Sequence, residues 1–283
     1  LEELKVGSNV HHLCVGDLVI NINYWLNKNQ NEIELNQIWT EWDIIPSNSL
    51  FSIDRKINLV SAATLGITPP IAWTLINDFI KLEKGDWIIQ NAANSDIGLN
   101  IIQLAKAFGY FTLNLIEDKQ DSTFLRNELY SLGATKIFNE KEFCNEITTN
   151  KQFKEQFKIR LALNNGDKNI LDLILMGLGD DGVCVIYGEL TQKSTTNNSI
   201  PNKITCYNFS LFNNSAKNQQ KIEQMFNQLQ TFILQDKLKP PKNRIIPLSK
   251  FKEGIENTLE FGTKQILLIS ENVLNQKGEI SKL

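Results

Sequence analysis

Between Lys84 and Gly109 the chain reads KGDWIIQNAANSDIGLNIIQLAKAFG, and no other stretch restricts its fold as strongly. Gly85 and Asp86 predict a turn, and Trp87, Ile88 and Ile89 form a short apolar run of the kind buried on both faces of a parallel sheet. A loop of small and polar residues follows. Apolar side chains then recur at Ile97, Ile101, Leu104, Ala105 and Phe108, one stripe of an amphipathic helix that Gly109 closes. Strand, tight loop and helix are the parts of a nucleotide-binding βα unit, in which glycines let the backbone approach a pyrophosphate lying at the helix N-terminus. Of that glycine set only Gly98 is present. Asp96 stands where a side chain would crowd the phosphate, and its carboxylate would repel the phosphate by roughly 1 to 4 kcal/mol depending on the local dielectric. The expectation is a dinucleotide-binding fold with an impaired loop. A βα unit that never held a nucleotide is the open alternative.

The same alternation extends through much of the chain. Strands are predicted at Phe111 to Ile116, Thr135 to Phe138, Ile159 to Leu163, Val183 to Tyr187 and Ile204 to Phe209. Helices are predicted at Asp121 to Leu132, from about Glu140 to Phe157, and at Asn169 to Met176. Alternating β and α segments imply an α/β fold built on a doubly wound, parallel, Rossmann-like sheet. Ile222, Met225, Phe226, Leu229, Phe232 and Ile233 mark a long amphipathic helix ended before Pro240 and Pro241. A helix from Ser249 to Phe261 and a strand from Gln265 to Ile269 follow.

Ahead of the central unit, Ser61 to Gly66 and Pro69 to Ile80 predict helices, the second with prolines in its first turn, where a missing N–H costs nothing. The first 60 residues predict only Leu18 to Ile20 and Ile38 to Ile45 as strands. So few strands cannot form an independent core. They imply a partial β module whose aromatic residues, Trp25, Trp39 and Trp42, are left as an exposed patch that a partner or second copy covers.

With 283 residues, 42% of them hydrophobic, the chain can fill one large or two medium cores. A net charge of -3 without a basic stripe argues against nucleic-acid binding, and the apolar runs are too short for membrane insertion. Cys14, Cys144, Cys184 and Cys206 have no CxxC spacing, which argues against a zinc site or disulfide scaffold and suits a reducing compartment. His11 and His12 lack companion ligands and are expected on the surface.

The segments GSNVHHLCVGDLVI, IWTEW, SAATLGITPPIAW, QNAANSDIG, SLGATKIF, LALNNGDKN, DDGVCVIYGEL and TKQILLI occur in the order of similar segments in the medium-chain dehydrogenase/reductase superfamily. Across nearly the whole chain the sequence most resembles the mitochondrial trans-2-enoyl-thioester reductases, the NADPH-dependent enzymes of mitochondrial fatty acid synthesis. The resemblance implies a GroES-like catalytic domain with a Rossmann domain, a dimer, no zinc and a mitochondrial location; a targeting peptide could lie before Leu1. It divides the chain into a partial GroES-like module with a linker helix over residues 1–66, a Rossmann-like domain over 67–270 and a tail over 271–283. In the family a barrel region carrying the proton-donating tyrosine precedes the equivalent of GSNV. Tyr24 has no such motif around it, and no catalytic residue is assigned.

The resemblance also places the cofactor contacts. The pyrophosphate loop corresponds to Asn94, Ser95, Asp96, Ile97 and Gly98, with a small residue in the family where Asp96 stands. The family's basic 2′-phosphate site corresponds to Glu117, Asp118 and Lys119, and its Tyr-Gly-Gly segment to Tyr187, Gly188, Glu189 and Leu190. Lys264 matches a cofactor-contacting lysine. A carboxylate in place of a guanidinium removes attraction and adds repulsion, worth several kcal/mol if the phosphate is desolvated. Glu117 alone would also suit the ribose hydroxyls of NAD. Two functions follow: a catalytically degenerate homologue with no or weak NAD(P)H binding, acting as a structural or interaction subunit of a mitochondrial assembly, or an active NAD(P)H-dependent enoyl-thioester reductase whose catalytic part lies upstream.

Overall fold

A computed structural model describes residues 5–26, 43–117, 122–188, 203–211, 218–261 and 264–268. The chain divides into two compact units, Thr68–Asn214 and the combination of Leu1–Ile67 with Ser215–Leu283.

The first unit is built on six parallel strands: β3 (Trp87–Gln90), β4 (Phe111–Ile116), β5 (Lys136–Asn139), β6 (Ile159–Asn164), β7 (Val183–Tyr187) and β8 (Thr205–Phe209). Their order is β5-β4-β3-β6-β7-β8, so the winding direction reverses between β3 and β6. This is the α/β, Rossmann-like sheet that the alternation predicts. Most residues of β4, β6 and β7 are buried, since helices cover both faces and no strand side needs to be polar. On one face Ile89, Leu113, Ala162, Cys184 and Ile186 pack against Phe143, Phe153, Phe157, Ile174 and Leu178. On the other, Ile102, Leu129, Ala134 and Ile137 form a second cluster.

Helix α3 (Thr68–Asn77) packs against α4 (Asp96–Phe108), which follows β3 and ends on left-handed Gly109. Helix α5 (Thr123–Leu132) follows β4, and α8 (Lys168–Gly177) joins β6 to β7. The single helix expected from Glu140 to Phe157 is instead α6 (Glu140–Thr149) and α7 (Phe153–Phe157). Asn150 takes an extended conformation between them, and its amide donates to Glu146 Oε1 at 2.9 Å and Gln156 Oε1 at 3.1 Å. Such local side-chain bonds compete with helix continuation.

In the second unit β1 (Leu18–Asn21) pairs antiparallel with β2 (Leu50–Ile53), and α1 (Asn23–Leu26) lies between them in sequence. The strand expected at Ile38 to Ile45 falls largely outside the described residues, and its described end, 43–45, is not extended into a ladder. The strand that pairs is β2. Trp25, expected in an exposed patch, is instead 1% exposed, and its Nε1 donates to the carbonyl of Gly66 at 3.0 Å. Trp39 and Trp42 lie outside the described residues. Helix α2 (Leu59–Thr64) is capped by Asn58.

The long amphipathic helix, α9 (Gln219–Leu234), buries Ile222, Met225, Phe226 and Leu229 within this unit. Its Phe226 ring lies 5.2 Å from that of Phe51 on β2, and Gln230 Oε1 accepts from the Asp54 amide at 2.7 Å. After it, β9 (Asn243–Pro247), α10 (Phe251–Phe261) and β10 (Lys264–Leu268) complete the unit, with β9 and β10 paired parallel. Among the described residues no helix is long and apolar enough to cross a membrane.

Candidate cofactor site

Open α/β sheets bind ligands beyond the carboxyl ends of their strands, where the winding reverses. In this sheet that place is the end of β3 and β6. After Gln90 the chain does not leave the sheet at once: the Asn91 amide donates to Leu163 O at 3.2 Å and the Ala93 amide to Leu115 O at 3.3 Å, bonds to the two neighbouring strands. Between them Ala92 adopts φ 48°, a left-handed conformation, and its carbonyl accepts from the Ser95 amide at 2.9 Å. The loop is therefore a tight turn held on both sides.

Ser95 caps α4, its Oγ accepting from the Gly98 amide at 3.1 Å. A serine cap of this kind contributes about 0.5 to 2 kcal/mol. A Cβ on Gly98 would stand 2.6 Å from Ala92 O and 2.8 Å from both Cα and C of Ala93. Gly98 thus sets the close packing of helix on loop, the role of the glycine that seats the helix rather than of those that admit the phosphate. Asp96 is the first helical residue and half-buried, where the helix dipole favours a carboxylate by about 0.3 to 1 kcal/mol. Asn94 is exposed beside the cap and Ile97 is half-buried in the first turn.

Polar residues that the sequence reading did not single out bind these parts together. Gln90 Nε2 donates to Gly98 O at 3.1 Å and to Asn114 Oδ1 at 2.8 Å. Asn114 Nδ2 in turn donates to Thr112 Oγ1 at 2.9 Å and Lys136 O at 3.0 Å. Asn91 Oδ1 accepts from the Asn165 amide at 2.6 Å, joining the loop after β3 to the loop after β6. Gly188, just past β7, takes φ 107°, the left-handed region that favours glycine, and a Cβ there would lie 2.9 Å from Asn165 Oδ1 and 3.3 Å from Asn165 O. The available signal was a polar residue ending an otherwise apolar strand, as at Gln90 and Asn164.

The remaining expected contacts are distributed as follows. Glu117 is exposed and directly follows β4. Asp118, Lys119, Glu189 and Leu190 lie outside the described residues. Tyr187 closes β7 with its ring 2% exposed. Its Oη has no hydrogen-bond partner among the described residues, and burial pushes its pKa up. Lys264 is the first residue of β10, in the other unit. Among the described residues no three His, Cys, Asp or Glu side chains converge as metal ligands. His11 and His12 are both exposed. The site thus has the backbone parts of a dinucleotide-binding loop, a capped helix seated tightly on the strand end, with one carboxylate in the first helical turn and another after the neighbouring strand.

No family model matches the sequence. Mouse mitochondrial enoyl-[acyl-carrier-protein] reductase is 32% identical over 272 residues, 93% of this chain and 69% of the mouse protein. The chain belongs to this enoyl reductase family. A Caenorhabditis elegans member is 39% identical over 160 residues, 56% of this chain and 45% of that protein. The chain thus spans about half the length of the first relatives it matches, 45% in the worm protein and 48% in the human one. These family members are mitochondrial by name, in agreement with the mitochondrial assignment. The fold is shared with the mitochondrial 2-enoyl thioester reductase Etr1p/Etr2p heterodimer of Candida tropicalis (TM-score 0.77, 23% identity, 94% of this chain, 77% of that one). It is shared too with the complex of Etr1p with NADP and crotonyl-CoA (TM-score 0.76, 21% identity, 94% and 77%).

Proposed function

We propose that this enoyl reductase-like chain has lost tight NADPH binding and serves as a structural or interaction subunit of a mitochondrial assembly, paired with a second copy or with another protein. The observation that carries the proposal is the pair of carboxylates in the candidate site, Asp96 in the first turn of α4 and Glu117 at the end of β4. A pyrophosphate carries its charge to the helix N-terminus, and the extra phosphate of NADPH carries more to the end of the second strand. Each carboxylate opposes one of them. At roughly 1 to 4 kcal/mol for each close like-charge contact, the two together can remove most of the affinity of an ordinary dinucleotide site.

Calorimetric titration of the chain with NADPH and NADH tests this. The expected NADPH Kd is weaker than roughly 100 μM, less than about 5.5 kcal/mol of binding. Micromolar NADPH binding overturns the proposal. Asp96→Gly combined with Glu117→Arg should recover part of the NADPH affinity, because the first change removes the carboxylate at the helix start and the second supplies a guanidinium that can bind phosphate in a fork.

A second reading, an active NAD(P)H-dependent enoyl-thioester reductase, draws on the intact backbone of the loop, with its Ser95 cap and the close contact at Gly98. In that reading Glu117 accepts from the ribose hydroxyls and the cofactor is NADH. Micromolar NADH binding with no NADPH binding would favour it.

A further inference from the structure

The last two strands of the six-stranded sheet carry one cysteine each, at facing positions. Cys184 on β7 and Cys206 on β8 are direct register partners in the parallel ladder. Both side chains lie on the same face of the sheet: Cys184 belongs to the apolar cluster around Phe143 and Ile174, and Cys206 packs against that cluster. Neighbouring strands run about 4.8 Å apart, within the Cα separation of about 4.4 to 6.8 Å that a disulfide spans.

The two side chains face each other across the β7–β8 ladder, which sets the thiols to share a hydrogen bond. That bond, followed by burial, pushes the Cys184 thiol up, and the same bond holds Cys206 below the ordinary cysteine value. Access differs in the same sense. Cys184 is fully buried, whereas Cys206 is half-buried on the outermost strand of the sheet. Of the two sulfurs Cys206 is the one that solvent reaches, the access an oxidant needs.

We propose that Cys184 and Cys206 form a redox-modification site, which hydrogen peroxide converts reversibly from dithiol to disulfide by way of Cys206. The Cys206 thiolate attacks one peroxide oxygen, the O–O bond breaks, and Cys206 sulfenic acid and hydroxide result. The hydroxide takes up the proton that Cys206 had released. Cys184 sulfur then attacks the sulfenic sulfur, the S–O bond breaks, and its oxygen leaves as water with the Cys184 proton. In total two thiols and one peroxide give one disulfide and two waters. Strand spacing holds directly facing Cβ atoms farther apart than the roughly 3.8 Å a relaxed disulfide prefers, so the bond is strained and readily reduced. Among the described residues β8 is the last strand of the sheet, paired with β7. The disulfide closes the segment from 184 to 206, which contains Tyr187 and Gly188 at the strand end of the candidate cofactor site.

The test uses the full chain. After treatment with a few equivalents of hydrogen peroxide, the remaining thiols are alkylated under denaturing conditions and the protein is digested with trypsin for non-reducing mass spectrometry. The expected product is a pair of peptides linked through Cys184 and Cys206, two hydrogens lighter than their sum and separated by dithiothreitol. Alkylatable thiols fall from the four of the sequence to two. The exposed Cys14 and Cys144 serve as internal controls, and the Cys14→Ser, Cys144→Ser double variant should give the same linkage. Cys206→Ser should leave Cys184 unoxidised. Cys206 sulfinic or sulfonic acid with Cys184 still alkylatable would overturn the proposal, as would linkage to Cys14 or Cys144 in place of the 184–206 bond.

Discussion

Replacing Gly98 with alanine tests the packing on which the βα unit depends. The added Cβ would sit 2.6 Å from Ala92 O, 2.8 Å from Ala93 C and 2.8 Å from Ala93 Cα, all backbone atoms that no rotamer change can move aside. The loop cannot retreat easily, because Ala93 N is bonded to Leu115 O and Asn91 N to Leu163 O. The first turn of α4 must then lift, stretching the bond from Gln90 Nε2 to Gly98 O. Overpacking costs about 1 to 3 kcal/mol, and three clashes with fixed atoms place this site at the upper end. Alanine regains up to about 1 kcal/mol through helix propensity. The net loss is about 2 kcal/mol, which in a unit of this size lowers Tm by about 4 to 8 °C. Thermal melting followed by circular dichroism measures it, with Gly66→Ala as the companion. At Gly66 the added Cβ meets nothing within 4 Å, so that variant should be neutral or gain about 0.4 to 1 kcal/mol from the unfolded state. If Gly98→Ala melts at or above the wild-type temperature, the argument from close helix packing fails.

Tyr187→Phe removes a buried hydroxyl without a hydrogen-bond partner among the described residues and should stabilise the fold by about 1 kcal/mol in urea unfolding. Burial raises the Tyr187 pKa above the ordinary value of 10.0, so folding favours the protonated ring; its stability contribution is whole below pH 10 and is lost as pH rises through the folded-state value. The phenylalanine variant should therefore lose less stability than wild type above about pH 10, by comparison of urea midpoints at pH 8 and 10.5. Trp25→Ala should cost about 3 to 5 kcal/mol through the lost core volume, and Trp25→Phe, which mainly loses the bond to Gly66 O, about 1 kcal/mol; chemical denaturation of both variants gives the difference. Asn91→Ala removes the 2.6 Å acceptor from the Asn165 amide and should cost about 1 to 3 kcal/mol, with faster amide hydrogen exchange at Asn165 as its local signature.

The sequence by itself determined the elements whose stability is local or whose burial is complete. The strand Trp87–Gln90, the helix Asp96–Phe108 ending at Gly109, and the buried runs of β4, β6 and β7 were legible because a period of 3.6, a left-handed glycine and an unbroken apolar run are properties of neighbouring residues. The start of that helix, read at Ile97 and found one residue earlier at Asp96, was legible for the same reason, whereas the loop Asn94 to Gly98 was placed by the family resemblance. Tertiary structure decided whatever depends on residues distant in the chain. Trp25 reads as exposed only until Gly66, 41 residues on, accepts its indole N–H. Leu50–Ile53 is only four residues long and becomes β2 through its register with β1. The long helix after 218 belongs with β2, through Phe51 and Asp54, on contacts that span some 175 positions, as in the 176 between Asp54 and Gln230. The joining of the Asn91 and Asn165 loops arises only when β3 and β6 lie side by side, and the meeting of Cys184 with Cys206 only when β7 and β8 do. Hydrogen bonds and side-chain contacts act over a few ångströms, and for distant residues the folded path of the chain alone brings those few ångströms about.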